Sequence, residues 1–285
     1  MRIAISPCPN DTFIHEELVR QELAAGGQLD FLDIAELNAL ATNPDGPDLV
    51  KVSCAAAPRF LERYTLLPVG GAFSQAVGPL AVRMGKREDQ PQTVGLPGPG
   101  TTAHLLWRLW RSTQGTPALH ESFHRFDLLP DLCARGAIDV AVVIHESRFT
   151  FQDAGLQEVQ DLGRFWDETT GLPVPLGCLM VRRDRGNAFA TDIVERVRAS
   201  LRSAWSRTEP TTAWIRKHAQ EMSSDVQRQH IATYVNQRSL DCGEDGLAAM
   251  ARLWEVAREH MGECGASDKQ CLQALDEARS LLIRP

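Results

Sequence analysis

Short apolar runs alternate with longer amphipathic stretches through the first 180 residues, the pattern of a sheet whose strands are joined by crossover helices. The runs at 2–6, 49–53, 78–84, 93–96, 139–144 and 178–183 read as strands. Several end in a small polar residue or a glycine-rich turn that leads into a helix. Ligands of open α/β sheets bind beyond the carboxyl ends of strands, so those ends are where a site is expected. After Arg183 the period changes. Ile193, Val197, Leu201 and Trp205 recur every four residues, one face of a helix. Thr208 and Ser224 are expected to cap two further helices, and Leu247, Met250, Trp254, Ala257 and Met261 form another apolar stripe. This reads as a helical layer over a sheet, not as a cofactor box.

The runs at 78–84 and 178–183 both pass into basic residues and bracket a block the size of a small lobe. The chain is expected to leave by the first and return by the second. That makes a discontinuous lobe 1 (1–87 and 181–285) and an inserted lobe 2 (88–180). No internal repeat, low-complexity tract or long linker is visible.

Composition narrows the class of ligand. The chain of 285 residues is 43% hydrophobic and 24% charged, ordinary for a globular α/β protein of two lobes. A net charge of −7 leaves no basic excess for a nucleic acid or an anionic membrane. An anion must then be held locally, by helix N-termini and a few placed donors. Met1 to Pro7 runs straight into the first strand with no secretory pattern, and no window approaches the roughly 18 apolar residues of a membrane span. The seven cysteines are odd in number and form no C-x-x-C pair, which suits free thiols in a reducing cytoplasm.

Four segments offer chemistry. Ser6-Pro7-Cys8-Pro9-Asn10-Asp11-Thr12 stops a strand, stiffens a turn and offers Ser6, Asn10 and Asp11 to a cleft. A capped tight turn is the plainer account, and Cys8, with no basic neighbour in sequence, reads as a structural thiol. Gly95 to Ala103 is a glycine-rich strand-to-helix turn with Thr101 and Thr102 where first-turn donors belong, suited to a carboxylate or phosphate. It lacks the Lys-Ser/Thr pair of a Walker loop. Lys51-Val52-Ser53 ends a strand in a hydroxyl, as suited to capping as to ligand contact. Val140 to Ile144 delivers His145 to a strand end, a natural proton acceptor at neutral pH, with Glu146, Ser147 and Arg148 behind it. His120-Glu121-Ser122-Phe123-His124 matches the H-E-x-x-H zinc signature, but Pro117 and Pro130 leave little room for its helix. The match reads as chance, and no metal site is expected.

Taken in order, these segments carry a resemblance. The opening Ser6-to-Phe13 motif, Lys51-Val52-Ser53, Gly78-Pro79-Leu80, Pro97-Gly98 with Thr101-Thr102-Ala103, and Ile144-His145-Glu146-Ser147-Arg148 are its first half. Asp161-Leu162-Gly163 with Trp166, the Thr170-to-Gly177 segment, and Thr233-Tyr234-Val235-Asn236 with Ser239-Leu240-Asp241 complete it. Together they resemble the 1,4-dihydroxy-6-naphthoate synthase family of the futalosine route to menaquinone, over nearly the whole chain. The resemblance implies a two-lobed fold like that of type II periplasmic solute-binding proteins, with the cleft recruited for catalysis. It implies conversion of cyclic de-hypoxanthine futalosine to 1,4-dihydroxy-6-naphthoate without metal or organic cofactor. The family's catalytic base carries over to His145, and its cleft positions carry over to Lys51, Ser53, Thr101 and Thr102. Ser6, Asn10, Asp11, Ile144 and Leu176 stand in the matching motifs and are expected to contact substrate. Cys54 and His15 depart from the family, which carries aromatic residues there. The partner expected is a small anionic molecule. A non-catalytic solute-binding protein and the sibling chorismate dehydratase share the fold and stand as alternatives.

Overall fold

Strands whose consecutive residues are all apolar must be covered on both faces, and the first segments of the chain behave in this way. The computed structural model describes residues 1–85, 90–219, 223–262 and 265–283. In it β1 (Arg2–Ile5), β2 (Gln28–Phe31) and β3 (Leu49–Ser53) pair in parallel, joined by α1 (Pro9–Ala24) and α2 (Ile34–Ala41). The chain continues through β4 (Tyr64–Ser74), β5 (Leu80–Met84), β6 (Thr93–Leu96) and α3 (Thr102–Thr113). Next come β7 (His120–Phe123), α4 (Leu129–Ala134), β8 (Val140–Val143) and α5 (Ser147–Thr150). After them follow β9 (Leu156–Asp161), α6 (Leu162–Thr170) and β10 (Val174–Arg182).

Two five-stranded mixed sheets result, with orders β2-β1-β3-β10-β4 and β7-β6-β8-β5-β9. In each, four strands run the same way and one, β10 or β5, lies antiparallel between its two neighbours. The plan is the same in both lobes although no repeat is legible in the sequence, because topology constrains hydropathy pattern and not residue identity.

From Asn187 onward the described residues are helical: α7 (Asn187–Trp205), α8 (Ala213–His218), α9 (Ser224–Tyr234), α10 (Gln237–Leu240), α11 (Gly243–Met261) and α12 (Asp268–Arg279). Ile193, Val197 and Leu201 of α7 are buried and Trp205 lies at the rim. Leu247, Met250, Trp254 and Ala257 of α11 are buried too, with Met261 packed at the margin. One apolar cluster runs through both lobes, taking Val52 and Met180 from the first sheet and Leu96 and Val142 from the second. Trp166 and Trp254 belong to it, and each spends its indole N–H on a buried carbonyl, Pro173 O at 3.1 Å and Cys54 O at 2.8 Å. No helix among the described residues is long and apolar enough to cross a membrane. Cys8, Cys54, Cys133, Cys178, Cys242 and Cys271 are free and buried, and Cys264 lies outside the described residues.

The structure moves several expected boundaries. β5, expected to close lobe 1, pairs with β8 and β9 in the second sheet, so the chain crosses before Leu80. The expected boundary at 87/88 falls outside the described residues. β10 begins at Val174 and pairs with β3 and β4, so the return precedes 180/181. Proline and glycine at 173, 175 and 177 hid that start. β4 was hidden likewise by Pro68, Gly70 and Gly71, which an edge strand tolerates. β2, β7 and β9 carry exposed polar residues and show no apolar run. Thr212, not Thr208, caps α8, because Glu209 accepts from Thr211 N and Oγ1 and closes a turn first. Ser223, not Ser224, precedes α9.

Candidate active site

The carboxyl ends of β1, β3, β6 and β8 meet across the cleft. Beyond β1, the chain turns through Ser6 to Cys8, with Pro9 opening α1, where a missing N–H costs nothing. Asp11, on the first turn, is buried. Its Oδ2 accepts from Ser6 N at 3.3 Å, and its Oδ1 accepts from Asn10 Nδ2 at 3.0 Å and Lys51 Nζ at 2.8 Å. Lys51 Nζ also donates to Gly70 O at 2.6 Å. Both charged side chains are nearly inaccessible, at 3% and 2% exposure, which is tolerable only because each has an opposite charge and further hydrogen bonds. Gly177 on the neighbouring strand makes room for the lysine stem, since a Cβ there would lie 2.9 Å from Lys51 Cε.

Ser53, at the end of β3, is locked to Asn38: Ser53 N donates to Asn38 Oδ1 at 2.9 Å and Asn38 Nδ2 donates to Ser53 Oγ at 3.1 Å. The serine keeps its own hydrogen for a ligand. Across the cleft, the threonine hydroxyls after β6 have other work than sequence suggested. Thr101 Oγ1 accepts from His104 N and donates to Gly98 O at 2.9 Å, so it is consumed in capping α3. Thr102 Oγ1 donates to Leu176 O at 2.9 Å and accepts from Ala55 N at 3.2 Å, so it ties lobe 2 to lobe 1. What α3 offers a ligand is its first-turn amides, at Thr102 and Ala103, which have no partner within the helix.

β8 ends at Val143, and His145 then takes φ +52, a left-handed backbone that histidine visits more readily than branched residues. The reversal turns the chain into α5. Behind it, the Arg148 guanidinium donates to Gly78 O and to Asp161 Oδ2, and Asp161 Oδ1 accepts from Gly78, Gly163 and Arg164 amides. Arg148 therefore braces the turn from behind and does not line the cleft. His145 Nδ1 lies 3.2 Å from Cys8 Sγ, which also receives the Ser6 hydroxyl at 2.8 Å. The sequence showed no basic partner for Cys8; the fold supplies one from 137 residues away. Burial, then the Glu146 carboxylate, pushes the Cys8 thiol well above its ordinary range, so it is a protonated thiol and not a nucleophile. Burial, then the Lys51 ammonium, lowers His145 to about 4, which keeps the ring neutral at neutral pH. His145 Nε2 is shut from solvent and has no hydrogen-bond partner.

Ser6, Asn10, Asp11, Lys51, Ser53, Thr101, Thr102, Ile144, His145 and Leu176 all line one cavity of about 660 Å³ of free space, its mouth included. Two further polar side chains line it that sequence reasoning missed, those of His230 and Tyr234 of α9. A strand-end search could not find them, because they come from a helix in the tail. Tyr234 had one sequence signal, the Thr233-to-Asn236 segment of the resemblance; His230 had none.

The H-E-x-x-H match lies in β7, where four residues of extended chain span about 13 Å and cannot converge on one ion. Its glutamate accepts instead from Arg108, at 2.7 and 3.0 Å. Among the described residues, Cys8, His145 and Glu146 bring ligand atoms within 4.8 Å of one another and could hold a metal ion. The raised thiol opposes this, since metal binding requires the thiolate.

Residues 1–259 match the family model described as menaquinone biosynthesis. The chain is 40% identical over 260 residues to a 1,4-dihydroxy-6-naphthoate synthase of Streptomyces coelicolor, covering 89% of this chain and 91% of the relative. It is likewise 40% identical to one of Thermus thermophilus, covering 90% and 93%. A solved Archaeoglobus fulgidus protein superposes with TM-score 0.83 at 24% identity, covering 92% of this chain and 98% of that one. The periplasmic aliphatic sulphonate binding protein of Escherichia coli does so with TM-score 0.64 at 11% identity, covering 100% and 92%. At such identities the likeness speaks to the fold, which is that of the periplasmic binding proteins.

Proposed function

The chain belongs to the menaquinone-biosynthesis family, and from that premise we propose that it is a 1,4-dihydroxy-6-naphthoate synthase, a carbon–carbon lyase with His145 as its general base. The observation that carries the assignment of the base is the cavity-lining His145, neutral, with Nε2 unpaired and Nδ1 beside Cys8 Sγ. With its hydrogen on Nδ1 and directed at the sulfur, the ring keeps a lone pair on Nε2 for a substrate proton.

The substrate is cyclic de-hypoxanthine futalosine, whose carboxylate needs a fixed counter-field. The α3 amides at Thr102 and Ala103 supply it, with the Lys51 charge facing the same cavity. Ser53 and Asn10, whose Oδ1 has no protein partner, hold hydroxyl groups. His145 removes a proton, a carbon–carbon bond breaks with release of a small sugar-derived fragment, and the product gains aromaticity. Transfer to a positioned base contributes about 10²–10⁴ in rate, and orientation within a water-excluding cleft supplies the rest. The reaction needs no metal or organic cofactor in this reading. The free buried thiols are in keeping with a cytoplasmic enzyme.

Mass spectrometry of the purified protein incubated with cyclic de-hypoxanthine futalosine tests the proposal. Wild type should release 1,4-dihydroxy-6-naphthoate and His145→Ala should not. Turnover by the variant at the wild-type rate removes the base; no turnover by the wild type removes the function.

A further inference from the structure

α9 lines the cavity with His230 and Tyr234. It packs along α1, and just past its C-terminus Asn236 Nδ2 donates to Phe73 O at 2.7 Å while Ser239 Oγ donates to Tyr234 O at 3.3 Å. His230 on this helix is 1% exposed, and neither of its ring nitrogens has a hydrogen-bond partner. Its ring lies nearly parallel to that of His145, tilted by 28° with centroids 6.1 Å apart. Tyr234, one turn on, meets the His230 ring edge-to-face at 4.9 Å, and Phe149 closes on it from lobe 2 at 6.0 Å. His230 and Tyr234 both line the cavity.

A neutral imidazole carries one N–H donor and one lone pair, and leaving both unpaired in a buried place is unfavourable. Where such a ring merely packs, an apolar residue of the same shape would serve better. On the wall of a ligand cavity the missing partner is the ligand. We propose that His230 is a substrate-contacting residue, donating a hydrogen bond to an oxygen of the bound substrate on the same wall as His145. The inference rests on the synthase reading for the substrate, and it adds a polar contact from a helix that no strand-end argument reaches. His145 takes the proton, and His230 fixes the oxygen whose electron density rises as that proton leaves. Tyr234 packs against the His230 ring and holds it in place.

His230→Phe keeps the ring shape and removes both nitrogens, whereas His230→Gln keeps a donor and an acceptor. The Phe variant should lose about tenfold to hundredfold in kcat/KM on cyclic de-hypoxanthine futalosine, with a Tm equal to or above that of the wild type. The Gln variant should recover part of the loss. A Phe variant with wild-type kcat/KM overturns the inference while leaving the synthase reading intact. Should the Phe variant not fold, 15N NMR of the wild-type histidines titrated with 1,4-dihydroxy-6-naphthoate decides. A His230 ring nitrogen shifted on binding supports the contact, and one unmoved at saturation overturns it. A wild type that neither turns over the substrate nor binds the naphthoate fails the synthase reading, and this inference with it.

Discussion

The two lobes share one strand order, yet their equivalent strand ends carry different chemistry. Beyond β1 and at β3, lobe 1 places a permanent charge pair, Asp11 and Lys51, and a serine locked to Asn38. Beyond β6 and β8, lobe 2 places a helix N-terminus and a titratable ring on a left-handed backbone. One lobe holds a fixed field; the other holds the group proposed to take the substrate proton. Each needs the other. The Lys51 charge helps keep His145 neutral, and Cys8 of lobe 1 reaches across to hold that ring. A binding-protein fold with two similar halves can be turned to catalysis by making the halves unlike.

Breaking the lobe 2 side should give the largest effect. His145→Ala is expected to lower kcat by about 10²–10⁴ with little change in substrate affinity, read by steady-state kinetics and by calorimetry with the naphthoate. On the lobe 1 side, Lys51→Met leaves Asp11 buried without its cation. It should destabilise by about 3–5 kcal/mol in denaturant unfolding. It should also raise the acid limb of the kcat/KM profile, because the ammonium that depresses His145 is gone.

The wild-type profile sharpens the same contrast. With His145 at about 4, the neutral base persists well below pH 6.5, so activity should fall only as pH approaches 4. Stability moves the same way. Folded His145 resists a proton that the unfolded chain binds near 6.5, so stability should drop as pH falls from about 6.5 towards 4. The groups facing this ring are Cys8, Lys51, His230 and Glu146, and only a profile centred near 6.5 would contradict the assignment. The smallest change is Cys8→Ala, which removes the Nδ1 partner and leaves the base. It should cost about tenfold in kcat with Tm within a few degrees of wild type, whereas a purely structural thiol would move Tm and not kcat.

Strand ends were legible because β1, β3, β6 and β8 are buried on both faces and must be written as apolar runs. The residues at the ends of those runs face the cleft, which is why Ser6, Ser53 and His145 stood out as candidates from strand order, whereas Lys51, inside β3, came with the resemblance. Three things were not legible. The edge strand β4 tolerates Pro68 and two glycines, so it looked like a loop. The threonine hydroxyls had the right type and place, but hydrogen-bond partners such as Leu176 O come from distant chain. His230 sits in a helix whose period describes packing against α1 and says nothing of which end meets a cavity.

A cleft between two lobes must admit a ligand and let it go, and Leu176 O ties its two walls. This carbonyl accepts from Cys54 N at 3.1 Å within lobe 1 as well as from the Thr102 hydroxyl of lobe 2. If the lobes part, the carbonyl keeps its amide donor, and the threonine and the Ala55 amide that donates to it both turn to water. Such a fastening adds little to the barrier for opening, and the residence time of product would be set by the ligand's own grip on the two walls.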